Sequence, residues 1–216
     1  VFLDPTVIDA AASVGRIIGT HQTVLGYMVN RIDCVTNGMV VPYSIVASVP
    51  PAGSRMGAPT AAQLRPGEML INDWMQTNYF GAKVGDSIKL TWFKLGRGRE
   101  MEEASRSFKV VGVVPTGGPG GGRGVMPPFP GVRELKRMRE LDQLGFRPDQ
   151  ALLDINSADN DDYWDTHQGS PKAFISAADA DAMWSNRYGS ATAVRYPGGD
   201  GAVENIANAF RRTFNP

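Results

Sequence analysis

Apolar and polar residues alternate with a period of two over residues 23–32, with Leu25, Tyr27 and Val29 on one side. The same period governs residues 39–49, where Val41, Tyr43, Ile45, Ala47 and Val49 fall in step. Asn37-Gly38 lies between the two runs and tolerates the positive φ angles of a tight turn, so the pattern predicts a β-hairpin. Pro42 has no N–H to donate and predicts an unpaired edge beside its strand. Ahead of the hairpin, Asp4 is an N-cap and Pro5 a first helical residue, with Val7, Ile8 and Ala11 on one helix face.

Further along, "EMLIN" predicts a short buried strand and "DWMQTNYF" a helix of two turns, capped by Asn72 and stopped by Gly81. Gly85-Asp86 turns the chain into a strand whose Ile88, Leu90 and Trp92 share a face. "SFKVVGVVP" is almost continuously apolar, the mark of a strand central in its sheet. "KAFIS" and "SATAVRYP" predict two more strands. Between and after them come a helix with a Ser176/Asp179 capping box and a last helix, capped by Asp200, with Val203, Ile206, Ala207, Phe210 and Phe214 as a packed stripe. The predicted fold class is α+β: mixed, mainly antiparallel sheet with short helices packed on it.

Regularity fails in two places. Residues 50–66 are rich in Pro, Gly and Ala and read as a loop. Residues 116–170 carry "GGPGGGRG", "MPPFPG", a possible surface helix over 133–144 and an acidic turn, "DINSADNDDYWD". The 216 residues are taken as one domain, 1–216. Within it, 36–115 form a strand–helix–strand–strand core, 116–170 an irregular insertion, and 171–216 a returning strand–helix–strand–helix.

Charge narrows the partners. The 22 basic and 22 acidic residues cancel, and a nucleic-acid binder needs a basic excess to neutralise phosphates. One cysteine, Cys34, excludes an internal disulfide and reads as a small buried apolar residue. No apolar run reaches the roughly 20 residues that span a bilayer. The chain opens on Val1 without a leader and reads as a piece of a longer product.

Candidate chemistry is sparse. His167 stands near Asp165 and Ser170, but sequence neighbours do not make a nucleophile–base array, and a solvated turn histidine is the simpler reading. The glycines of residues 117–124 lack the Lys-Ser/Thr of a phosphate loop. Asp154, Asp159, Asp161, Asp162 and Asp165 lack the spacing, glycine and bidentate Glu of a calcium loop. One cysteine and two distant histidines offer no zinc site. Three aromatics, Tyr163, Trp164 and Phe129, are candidate partner contacts; for Tyr163 and Trp164 the alternative is that they pin the loop to the core. No catalytic, cofactor-binding or metal residue is assigned.

"EMLINDWMQTNYFGAKVGDSIKLTWF" followed by "SFKVVGVVP" resembles the extracytoplasmic, MacB-like domain of FtsX-like ABC transporter permeases. "MPPFPGV", "DDYWDTHQGSPKAFIS" and "MWSNRYGSATAVRYP" are similar to large members of that family with long extracytoplasmic insertions. The resemblance implies flanking membrane helices outside this chain, a separate cytoplasmic ABC ATPase and a second permease protomer. It also implies envelope or lipoprotein cargo on the outer face of the membrane, with no catalysis and no cofactor in this domain. A secreted hydrolase with its site in 116–170 and a stand-alone binding module are the rival readings.

Overall fold

Asp4 starts the first helix as its chemistry dictates: in the computed structural model its carboxylate accepts from the Thr6 N–H at 2.8 Å. The structure describes residues 2–19, 21–49, 64–96, 100–116, 137, 140, 149–196 and 202–214. Helix α1 (Pro5–Ile18) ends at Gly19, whose φ of 108° suits a residue without Cβ. Then follow β1 (Gln22–Val24), β2 (Gly26–Cys34), β3 (Val40–Val49), β4 (Glu68–Asn72), α2 (Asp73–Thr77), β5 (Ser87–Leu95) and β6 (Met101–Val114). The chain continues through α3 (Gln150–Leu153), α4 (Ser157–His167), β7 (Ala173–Ser176), α5 (Ala177–Trp184), β8 (Ala193–Arg195) and α6 (Val203–Phe214). The α+β class and the mixed, mainly antiparallel pairing predicted from the pattern are what the chain adopts.

Six strands close into a barrel in the order β2-β3-β7-β4-β6-β5, so that each has a neighbour on either side. β3–β7 and β4–β6 are parallel and the other four pairings antiparallel. The late strand β7 sits between β3 and β4, with Val46 opposite Ala173 and Ile71 opposite Ala173 on the other side. Val29, Ile32, Met69, Ile71, Ile88, Leu90, Phe108, Val110 and Ile175 fill the interior, together with Met75 from α2 and Trp184 from α5. A second layer lies outside the ring. There β1 and β8 pair as a ribbon, and Val24, Ile45, Ala47, Leu70, Phe174 and Ala193 form a separate apolar cluster. Strands β4 and β7 are thus buried on both faces, which is why "EMLIN" and "KAFIS" are unbroken apolar runs.

The predicted hairpin forms, but its alternation changes phase. In β2 the core takes Val29 and then Ile32 and Cys34. In β3 it takes Val41 and then Val46, while Ile45 and Ala47 join the outer cluster and Tyr43 a third one with Leu153 and Trp164. Pairing passes from Val29↔Ser44 to Arg31↔Pro42 at this level, and Tyr43 has a φ of 30°. The hairpin's inner face changes over in both strands at this level, where Tyr43 adopts left-handed backbone. Pro42 does lie where β3 has a strand on one side only, since β7 joins from Val46 onward.

Other expectations need correction. Helix α2 stops at Thr77, short of Gly81, because Asn78 leaves helical geometry. "DINSADNDDYWD" is no turn: most of it is α4, and with α3 it makes residues 150–167 largely helical. Val203, placed in the packed stripe of the last helix, is 62% exposed, and Ala209 is the buried one among that helix's described residues. The Gly-rich run, "MPPFPG" with Phe129, most of 133–144 and Asp200 lie outside the described residues.

Candidate functional site

The backbone of Lys172 extends β7 by one residue: its N–H donates to the Ile45 carbonyl and its carbonyl accepts from the Asn72 N–H, both at 2.9 Å. Along this strand Ala173 and Ile175 enter the barrel, so Lys172 and Phe174 project from its outer face. Phe174 is covered by the outer apolar layer. Lys172 is covered by α2 and α4, and only 4% of it is exposed.

Its ammonium nitrogen is held in a cage. Nζ lies 2.9 Å from Asn160 Oδ1, 4.1 Å from the centre of the Trp74 ring and 4.5 Å from that of Tyr163. No ion pair among the described residues involves it. Burial penalises the charged amine and pushes its pKa down to about 7. The two ring faces and the amide oxygen act the other way, because each favours a cation.

The cage is itself braced. Asn160 Nδ2 faces Tyr79 Oη and the carbonyls of Ile155 and Asn156, each at 3.1 Å. Tyr163 Oη accepts from Asn72 Nδ2 at 2.9 Å and donates to the Ser170 carbonyl at 3.0 Å. Asn72 Oδ1 in turn accepts from the Met75 N–H at 3.0 Å, capping α2. Desolvation raises both phenols, Tyr79 to about 12, so both stay protonated and able to donate. Cap, phenol, amide and amine form one connected polar group linking barrel, α2 and α4.

The backbone around this group is strained. Among the described residues three non-glycines have positive φ: Tyr43 at 30°, Asn156 at 44° and Gln168 at 50°. Tyr43 and Gln168 line a cavity that reaches Lys172, and Asn156 gives its carbonyl to Asn160. Such conformations persist only where the surroundings over-determine them, and they gather at functional or switching sites. The cavity holds about 20 Å³ of free space, enough for a water molecule.

The residues singled out from sequence land as follows. Tyr163 and Trp164 are buried, 3% and 6% exposed, with Tyr163 against the lysine and Trp164 beside Tyr43 and Leu153. His167 stacks at a tilt on Tyr163 with 5.0 Å between ring centres. The Ser170 hydroxyl donates to the His167 carbonyl, not to its ring. Asp159, Asp161, Asp162 and Asp165 are distributed along α4, and no group of three His, Cys, Asp or Glu among the described residues is placed to hold a metal ion. Among those residues no helix is long and apolar enough to cross a membrane. Sequence reasoning missed Lys172, Asn160, Trp74 and Asn72 as a group. Asn72 was legible as a cap, but nothing local marks a strand-leading lysine as buried. No protein-family model matches the chain, and no curated protein matches it, so the site is read from its own residues alone.

Proposed function

We propose that this chain is a non-catalytic extracytoplasmic domain of an FtsX/MacB-like permease, moved by a separate ATPase and acting as a lever on the outer face of the membrane. The observation that supports this reading is the path of the segment carrying the resemblance. "EMLIN" through "FKVVGVV" folds as the contiguous run β4–α2–β5–β6, and its strands form half of a closed ring. A ring in which each strand has a neighbour on either side resists shear, which a force-transmitting body requires. The Lys172 group then fastens α4 to that body through polar contacts, so that a load on either is passed to the other. A second permease protomer and an envelope protein or lipoprotein cargo belong to the same proposal.

The test uses the full-length gene product. Isolated from membranes, it should retain an ABC ATPase through purification, and deleting residues 116–170 should abolish ATP-dependent transport while leaving that association intact. A full-length product that never enters the membrane fraction overturns the proposal. So does turnover of a substrate by this chain alone.

A further inference from the structure

We propose that Lys172 is a covalent site for small neutral carbonyl compounds, which reach its amine through the adjoining cavity and condense there to an imine. The inference goes beyond the lever reading and does not depend on it. Three observations carry it. Lys172 is buried yet lines a cavity, together with Asn160 and Tyr163 that hold its amine, and it has no carboxylate to pair with among the described residues. The groups facing Nζ are two ring faces and one amide oxygen, all of which repel anions and stabilise cations. Asp161 lines the same cavity, so an anionic ligand is turned away twice.

A neutral electrophile meets neither obstacle. The Nζ lone pair adds to the carbonyl carbon while the C=O π pair moves to oxygen; oxygen takes one proton from water and nitrogen gives one up, leaving the neutral carbinolamine. A second proton from water lets that oxygen depart as water, and nitrogen releases its remaining proton to solvent, leaving C=N. Amine and carbonyl thus give imine and one water, with no oxidant or reductant. When the imine is protonated, its positive nitrogen occupies the place the ammonium had, between Trp74 and Tyr163. Burial supports the reaction by leaving much of the amine unprotonated near neutrality. The titratable groups around it are Tyr163 and, through Asn160, Tyr79; Tyr43 and Asp161 face the cavity. The free space of about 20 Å³, room for one water molecule, favours the smallest carbonyl compound, formaldehyde.

Reductive alkylation with ¹³C-formaldehyde and ammonia–borane, a small neutral hydride donor, at neutral pH, followed by peptide mass spectrometry, tests this on the intact chain. Lys89 and Lys109, both exposed, are internal references. Lys172 should be labelled faster than either, by about tenfold, because surface amines are almost wholly protonated there. Labelling at their rate or below overturns the proposal. Benzaldehyde should label Lys172 more slowly than it labels Lys89; equal labelling refutes the size limit. Asp161→Trp, which narrows the cavity without touching the cage, should slow Lys172 and spare Lys89. An unchanged Lys172 rate shows that the carbonyl does not enter by this route.

Discussion

The barrel interior and the lysine cage are buried to a similar depth, yet they are built on opposite principles. Inside the barrel, Phe108, Ile32, Met69 and their neighbours are apolar, closely packed and interchangeable in kind. Around Lys172, a handful of polar groups each have a named partner, and three residues nearby hold unfavourable backbone angles. Stability in the first region is spread over many contacts. In the second it hangs on a few, since a buried polar group that loses its partner costs more than the bond contributed.

Substitutions in the two regions should differ both in size and in pH dependence. Phe108→Ala, which empties a site 2% exposed, should cost about 3–5 kcal/mol in urea unfolding with little dependence on pH. The cage should show the reverse dependence. Lys172 titrates at about 7 folded but in the ordinary lysine range unfolded, so between those values the unfolded chain binds more protons. Stability should therefore rise from pH 7 toward pH 9.5, by about 3 kcal/mol at ~1.4 kcal/mol per pKa unit. Above about pH 10 the trend should reverse, because Tyr79 and Tyr163 keep protons that unfolded tyrosines release. Lys172→Met should flatten the neutral-to-alkaline limb. Asn160→Asp supplies a counter-charge at 2.9 Å, and should shrink that limb without removing the lysine. A limb of equal size in Lys172→Met would sink the assignment.

The smallest effect concerns strain. Gln168 has φ 50° and ψ −132°, a region that suits glycine. Gln168→Gly should stabilise the chain by about 1 kcal/mol, read as a raised urea midpoint. In ordinary helical or extended backbone the same substitution would destabilise.

What the sequence reveals follows the same division. Strands of the barrel were legible because burial on one or both faces writes a period-two or continuous apolar pattern, as in "EMLIN" and Ile88-Leu90-Trp92. Caps were legible too: Asn72 and Ser176 act over three residues, through local hydrogen bonds to Met75 and Asp179. The inversion of the hairpin at Tyr43 was not, because a tyrosine gives no sign of a left-handed backbone. Helix α4 was read as an acidic turn because its buried face is made of Asn160, Tyr163 and Trp164, with too few aliphatics for a helical stripe. The cage depends on pairing between β7 and two strands far away in the chain, and no local spacing encodes that. Ring closure and the two parallel pairings escaped for the same reason.

The placement of β7 has a consequence for biosynthesis. Because chains emerge from the ribosome N-terminus first, β3 and β4 are made long before the strand that joins them, and each meanwhile presents bare backbone donors and acceptors. A nascent chain arrested before Ala173 would carry two such adhesive borders, which a holdase chaperone or a neighbouring polysome product can pair with.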